Sequence, residues 1–127
     1  MHIAAGKAER RSRMRATVAH WDLGRSEQTV DTLRALLYEE GVDDWTSVHG
    51  LLVKFWFSDR KRNIWGAVML WEPGADLDQP LPPNRARELI GYAPTHRLDV
   101  EVEVTVEGLH CTGELTGLGA VWESKNG

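Results

Sequence analysis

From Leu98 to Glu107 the side chains alternate without a break. Leu98, Val100, Val102, Val104 and Val106 fall on one side, and Asp99, Glu101, Glu103, Thr105 and Glu107 on the other. A period of two over this length marks a β-strand, and it fixes register, because a slip of one residue turns every valine to the wrong face. The pattern calls for a sheet with one apolar face, expected under helices, and one face that is polar or meets something polar. Gly108 ends the run.

Earlier segments supply the rest of a sheet. Residues 16–23 (ATVAHWDL) are rich in β-formers and predict a first strand. Ser26 is a good N-cap, and Glu27 puts negative charge in a first helical turn. Val30, Leu33, Leu36 and Leu37 then follow helical spacing, and Gly41 stands where a glycine cap belongs, so a helix is expected over about 27–40. Residues 51–57 alternate, with Leu51, Val53, Phe55 and Phe57 opposite Leu52, Lys54 and Trp56. A polar turn from Ser58 to Asn63 leads to a returning strand over 64–71. There Ile64, Gly66, Val68 and Leu70 oppose Trp65, Ala67, Met69 and Trp71, and 51–71 together predict a hairpin. Pro80, Pro82 and Pro83 lead into a short helix over 84–91, with Ala86, Leu89 and Ile90 as its buried side.

Strand, helix, hairpin, helix, strand is the β-α-β-β-α-β order of a ferredoxin-like α+β domain. Two helices are expected to cover the valine-bearing face of a four-stranded antiparallel sheet. The reverse face would carry Lys54, Trp56, Trp65, Met69, Trp71 and the row of glutamates. Large aromatics on an open sheet make an unusual patch for a monomer, and face-to-face packing of two copies would cover them. The domain is expected over 16–108, after a basic arm at 1–15 and before a glycine-rich extension at 109–127.

Composition narrows the class. The chain has 127 residues, 42% of them apolar, which suits one domain with one core. A net charge of −4 argues against a general nucleic-acid binder, which needs a basic face. Lys7, Arg10, Arg11, Arg13 and Arg15 cluster at the start, as an anion-seeking arm or a solvated terminus. One cysteine, Cys111, permits no internal disulfide and fits a reducing compartment, so a cytoplasmic protein is expected. No apolar run approaches a membrane span, so no membrane partner is expected.

Strong catalytic motifs are missing, and the five histidines show no metal-ligand spacing. His20, beside Trp21 on the first strand, would serve as a general base if it faces a pocket; otherwise it is a hydrogen-bonded histidine at a sheet edge. His96 and Arg97 precede the last strand. With Arg85 and Arg87 they would bind an anionic or enolate oxygen, or else are solvated charges. His49 and Trp45 lie near the entrance to the second strand, where they would line a pocket mouth. Lys54 is polar between apolar neighbours and is expected to pair a glutamate such as Glu101 or Glu103 in the sheet interface, with a Schiff-base role as the alternative. Trp21, Trp56, Trp65 and Trp71 suit either a flat aromatic ligand or a dimer core.

The stretch Gly50-Leu-Leu-Val-Lys-Phe-Trp56, then Trp65-Gly-Ala-Val-Met-Leu-Trp-Glu72, then Arg97-Leu-Asp-Val-Glu-Val-Glu103 resembles the YdhR-like monooxygenases of the dimeric α+β barrel superfamily. The resemblance covers roughly residues 16–108. It implies a homodimeric barrel with a pocket between each sheet and its helices. Some members of the superfamily oxidise aromatic polyketides with molecular oxygen and no metal or flavin; others are lyases, isomerases or haem-degrading enzymes. Two functions follow as expectations. One is a cofactor-independent monooxygenase acting on an aromatic or polyketide-like molecule, with His20, His96 and Arg97 catalytic and Trp21, His49, Arg85 and Trp45 binding substrate. The other is a non-catalytic homodimeric module that binds a ligand or a protein. A histidine and an arginine converging on an interior cavity would favour the first.

Overall fold

The computed structural model describes residues 14–111, 113 and 115–122. Most of the basic arm and the end of the glycine-rich extension lie outside them. Strands β1 (Arg15–Asp22), β2 (Leu51–Asp59), β3 (Ile64–Trp71) and β4 (His96–Glu101) form one sheet in the order β2-β3-β1-β4. Every neighbouring pair is antiparallel. Helices α1 (Val30–Glu40) and α2 (Arg85–Ile90) complete an α+β arrangement compatible with a ferredoxin-like fold. No helix among the described residues is long and apolar enough to cross a membrane.

Helix α1 starts three residues later than the Ser26 signal suggests. Thr29 caps it, accepting from Thr32 N at 3.1 Å, while Thr32 Oγ1 accepts from Thr29 N at 2.8 Å. This reciprocal pair satisfies two otherwise orphaned donors. Ser26 serves elsewhere: its hydroxyl donates to Ile90 O at 3.0 Å and accepts from Gln28 N, tying the entry of α1 to the end of α2. Helix α2 is capped by Asn84 and ends on Gly91 in the left-handed region at φ 98°.

The hairpin forms as its alternation predicts, with Phe57 opposite Gly66 and Lys54 opposite Met69. The bulge between Leu51 and Val53 resets the start of β2. What the alternation misassigns is the face that the helices cover. The core consists of Trp21, Leu23, Val30, Leu33, Trp65 and Ile90, with Leu36, Leu37, Trp56 and Ala86 packed against it. The roofed side is therefore the tryptophan side. The side bearing Val53, Phe55, Leu98 and Val100 is open in one chain, with those residues 39–60% exposed.

The physical reason lies in where each strand sits. Strand β3 is apolar on both sides, so its own pattern cannot choose a face. Strand β4 is an edge, paired only to β1. On its helix side Arg97, Asp99 and Glu101 stay exposed, with Arg97 and Asp99 ion-paired at 3.7 Å. Two short helices do not reach that edge. Large indoles fill the space between this sparse roof and the centre of the sheet.

Strand β4 also ends earlier than its alternation. Antiparallel pairing sets Glu101 against Arg15 and runs the strand off the start of β1. Val102 N still donates to Met14 O at 2.8 Å. Beyond it, Val104 and Val106 are 86% and 94% exposed, and no described residue pairs with them.

Candidate active site between helices and sheet

Strand β2 places Lys54 and Trp56 two residues apart, so both point to the helix side. A single turn of 3-10 helix, Asp43–Ser47, precedes the strand and carries Trp45 back over them. Lys54 Nζ lies 3.2 Å from the centre of the Trp45 ring and 4.7 Å from that of Trp56. The two indoles meet edge to face at 6.2 Å and 81°. Among the described residues no carboxylate comes within ion-pair distance of Lys54.

These groups line a cavity of about 50 Å³ together with Leu33, Leu37, Glu40 and Arg85. Arg85 stands at the start of α2 and pairs with Glu40 at the end of α1 at 3.4 Å. Burial pushes the Lys54 ammonium down from its ordinary 10.5 to about 7. Indole faces favour the ammonium by about 0.5–2 kcal/mol, which works against that shift, but lost hydration is the larger effect. An amine of this kind can accept a proton or attack an electrophile near neutral pH.

The expected catalytic trio divides between the two faces. His20 and His96 are cross-strand partners on the open face, with ring centroids 4.7 Å apart and planes 32° apart. Phe57 lies 6.5 Å from His20 on the same face. His20 Nδ1 is buried with no hydrogen-bond partner. Arg97, one residue past His96, faces the other way. Alternation therefore separates the arginine from both histidines, and none of the three lines the cavity.

The expected binding set also divides. Trp45 and Arg85 line the cavity. Trp21 is a core residue, locked by its Nε1 donating to Tyr92 O at 2.8 Å. His49 is exposed, and its backbone is held by Gln79, which accepts from His49 N at 3.2 Å and donates to His49 O at 2.7 Å. Arg87 is exposed on α2.

Lys54 is the residue whose role the sequence misassigned. Within one chain Lys54 does not pair with Glu101, since β2 and β4 are opposite edges of the sheet, and Glu103 lies past the end of β4. The signal that marks it is a lysine sharing a strand face with a tryptophan two residues on. Among the described residues no three metal-binding side chains gather.

The sequence matches no family model, and no curated protein matches it significantly.

Proposed function

We propose that this chain is a homodimeric small-molecule enzyme, most like a cofactor-independent monooxygenase, whose reaction takes place in the Lys54 pocket. The observation that supports this most is an amine held between two indoles with no carboxylate of the described residues within ion-pair distance. Lys54 replaces the histidines as the base of this reading, because it alone of these groups faces a cavity. It would remove a proton from a carbon activated by a hydroxy-aromatic ring. The resulting carbanion gives its electrons to oxygen, a peroxide forms on that carbon, and loss of water leaves a carbonyl. One oxygen atom enters the product and the other leaves as water, so a C–H₂ group supplies both reducing electrons. Arg85 at the cavity rim would hold the developing oxyanion.

Size sets a condition. Benzene occupies an apolar cavity of about 150 Å³, well above the space beside Lys54. An aromatic substrate would therefore take the place of the Trp45 ring, which is carried on a turn and only half-buried.

The second copy would pack on the open sheet face. Phe55, Phe57, Val68, Leu98 and Val100 lie there without a charged neighbour in mid-strand, so a charged partner finds nothing to pair. A twin offers the same uncharged surface, which makes the face self-complementary. In this arrangement the two sheets form the centre of a dimeric α+β barrel.

Oxygen uptake with a panel of hydroxy-aromatic compounds, anthrones included, tests the activity. The proposal expects consumption that falls about 10²–10⁴-fold in Lys54→Met, the usual worth of a general base. A His20→Ala, His96→Ala double variant should keep its activity. No uptake by the parent protein with any compound would leave the non-catalytic dimer as the better reading.

A further inference from the structure

We propose that the Lys54 pocket captures short aliphatic carbonyl compounds of two or three carbons as an imine on the lysine nitrogen. The inference rests on the same Lys54 pocket as the reading above but not on its oxygen chemistry, so a failure of oxygen uptake leaves it standing. Three features of the pocket support it. Lys54 is half-buried and lines a cavity, with its nitrogen against the Trp45 ring. Neither a carboxylate nor a hydrogen-bond acceptor among the described residues holds it, so its lone pair is free to attack. The space of about 50 Å³ beside it, with Trp45 in place, suits a two- or three-carbon molecule and not a ring.

The chemistry balances without a cofactor. The amine lone pair attacks the carbonyl carbon, and the carbonyl π electrons pass to oxygen, which takes a proton. The carbinolamine then loses that oxygen as water and leaves a carbon–nitrogen double bond. The only other product is water. Arg85 lines the same cavity and would face the oxygen as charge develops. The downward shift of Lys54 adds to this reading by keeping much of the amine unprotonated at neutral pH.

Reductive trapping reads the outcome directly. The full chain is incubated at pH 7 with acetaldehyde and sodium cyanoborohydride, and ethyl groups are located by peptide mass mapping. Lys61 is exposed on the hairpin turn and serves as the internal reference. The inference expects Lys54 to be labelled on the order of tenfold faster than Lys61, because an ordinary lysine is almost wholly protonated at that pH. Labelling in urea should make the two equal. Equal rates in the folded protein, or a preference for Lys54 that survives in urea, would overturn the inference. Oxygen uptake is not involved in either arm.

Discussion

Lys54 and Trp45 meet across an element boundary. The amine projects from β2, and the indole that lies 3.2 Å from it comes from the 3-10 turn before that strand. The contact covers the ammonium with an indole face and leaves Lys54 half-buried. A surface lysine gains from an aromatic face at little cost; here burial dominates, and the proton becomes easy to lose.

That burial gives stability a pH dependence. The unfolded chain keeps the Lys54 proton up to about 10.5, while the folded chain gives it up near 7. Between those values the unfolded state binds more protons, so this group's contribution to stability rises with pH and the burial penalty is largest below 7. Lys54→Met should therefore be more stable than the parent at pH 6, by about 2–4 kcal/mol. The advantage should shrink between pH 7 and pH 10. Urea denaturation of both proteins across that range measures it, and an advantage independent of pH would count against a buried, depressed lysine.

Gly66 carries a different prediction. A β-carbon there would stand 2.4 Å from Phe57 Cζ, 2.6 Å from Ala19 O and 2.7 Å from His20 Cβ. The Phe57 ring can swing aside, but the Ala19 carbonyl is part of the β1–β3 ladder and cannot. Gly66→Ala should cost about 2–3 kcal/mol by this overpacking. Chemical denaturation checks it; a loss under half a kilocalorie would mean that the strands yield more easily than their pairing implies.

The open face predicts a contrast between folding and association. Phe55 is 50% exposed and Val100 39% exposed in one chain. Replacing both by aspartate should leave the fold of the single chain close to the parent's. Buried at an interface between copies, the same charges would raise the dimer dissociation constant by at least about 100-fold. Light scattering across a dilution series separates the two effects. A parent protein that is monomeric at micromolar concentration would remove the homodimer from the proposal.

The hairpin and the helices were legible because each is encoded locally, in alternation, helical spacing and turn residues. The covered face was not. Choosing it requires knowing that β4 is an edge whose charged side escapes the helices, and that indoles fill the space under a sparse roof. The end of β4 was hidden for a similar reason, since the valines continue past the point where β1 can pair with them. In the site, Trp45 and Arg85 were anticipated and reach the cavity. Lys54 is expected to pair a glutamate in a sheet interface, but its strand turns it towards the helices instead. His20 and His96 are each expected to supply a base, yet strand alternation puts both behind the pocket wall, where they face each other.

Titration of the lysine side chains by nuclear magnetic resonance tests the central claim most directly. The chain has Lys7, Lys54, Lys61 and Lys125, and the signal lost in Lys54→Arg identifies the one in the pocket. The account predicts that this signal titrates near pH 7, well below the ordinary 10.5. A Lys54 midpoint beside those of the other lysines would show a hydrated ammonium, and would contradict both the base and the nucleophile assigned to it.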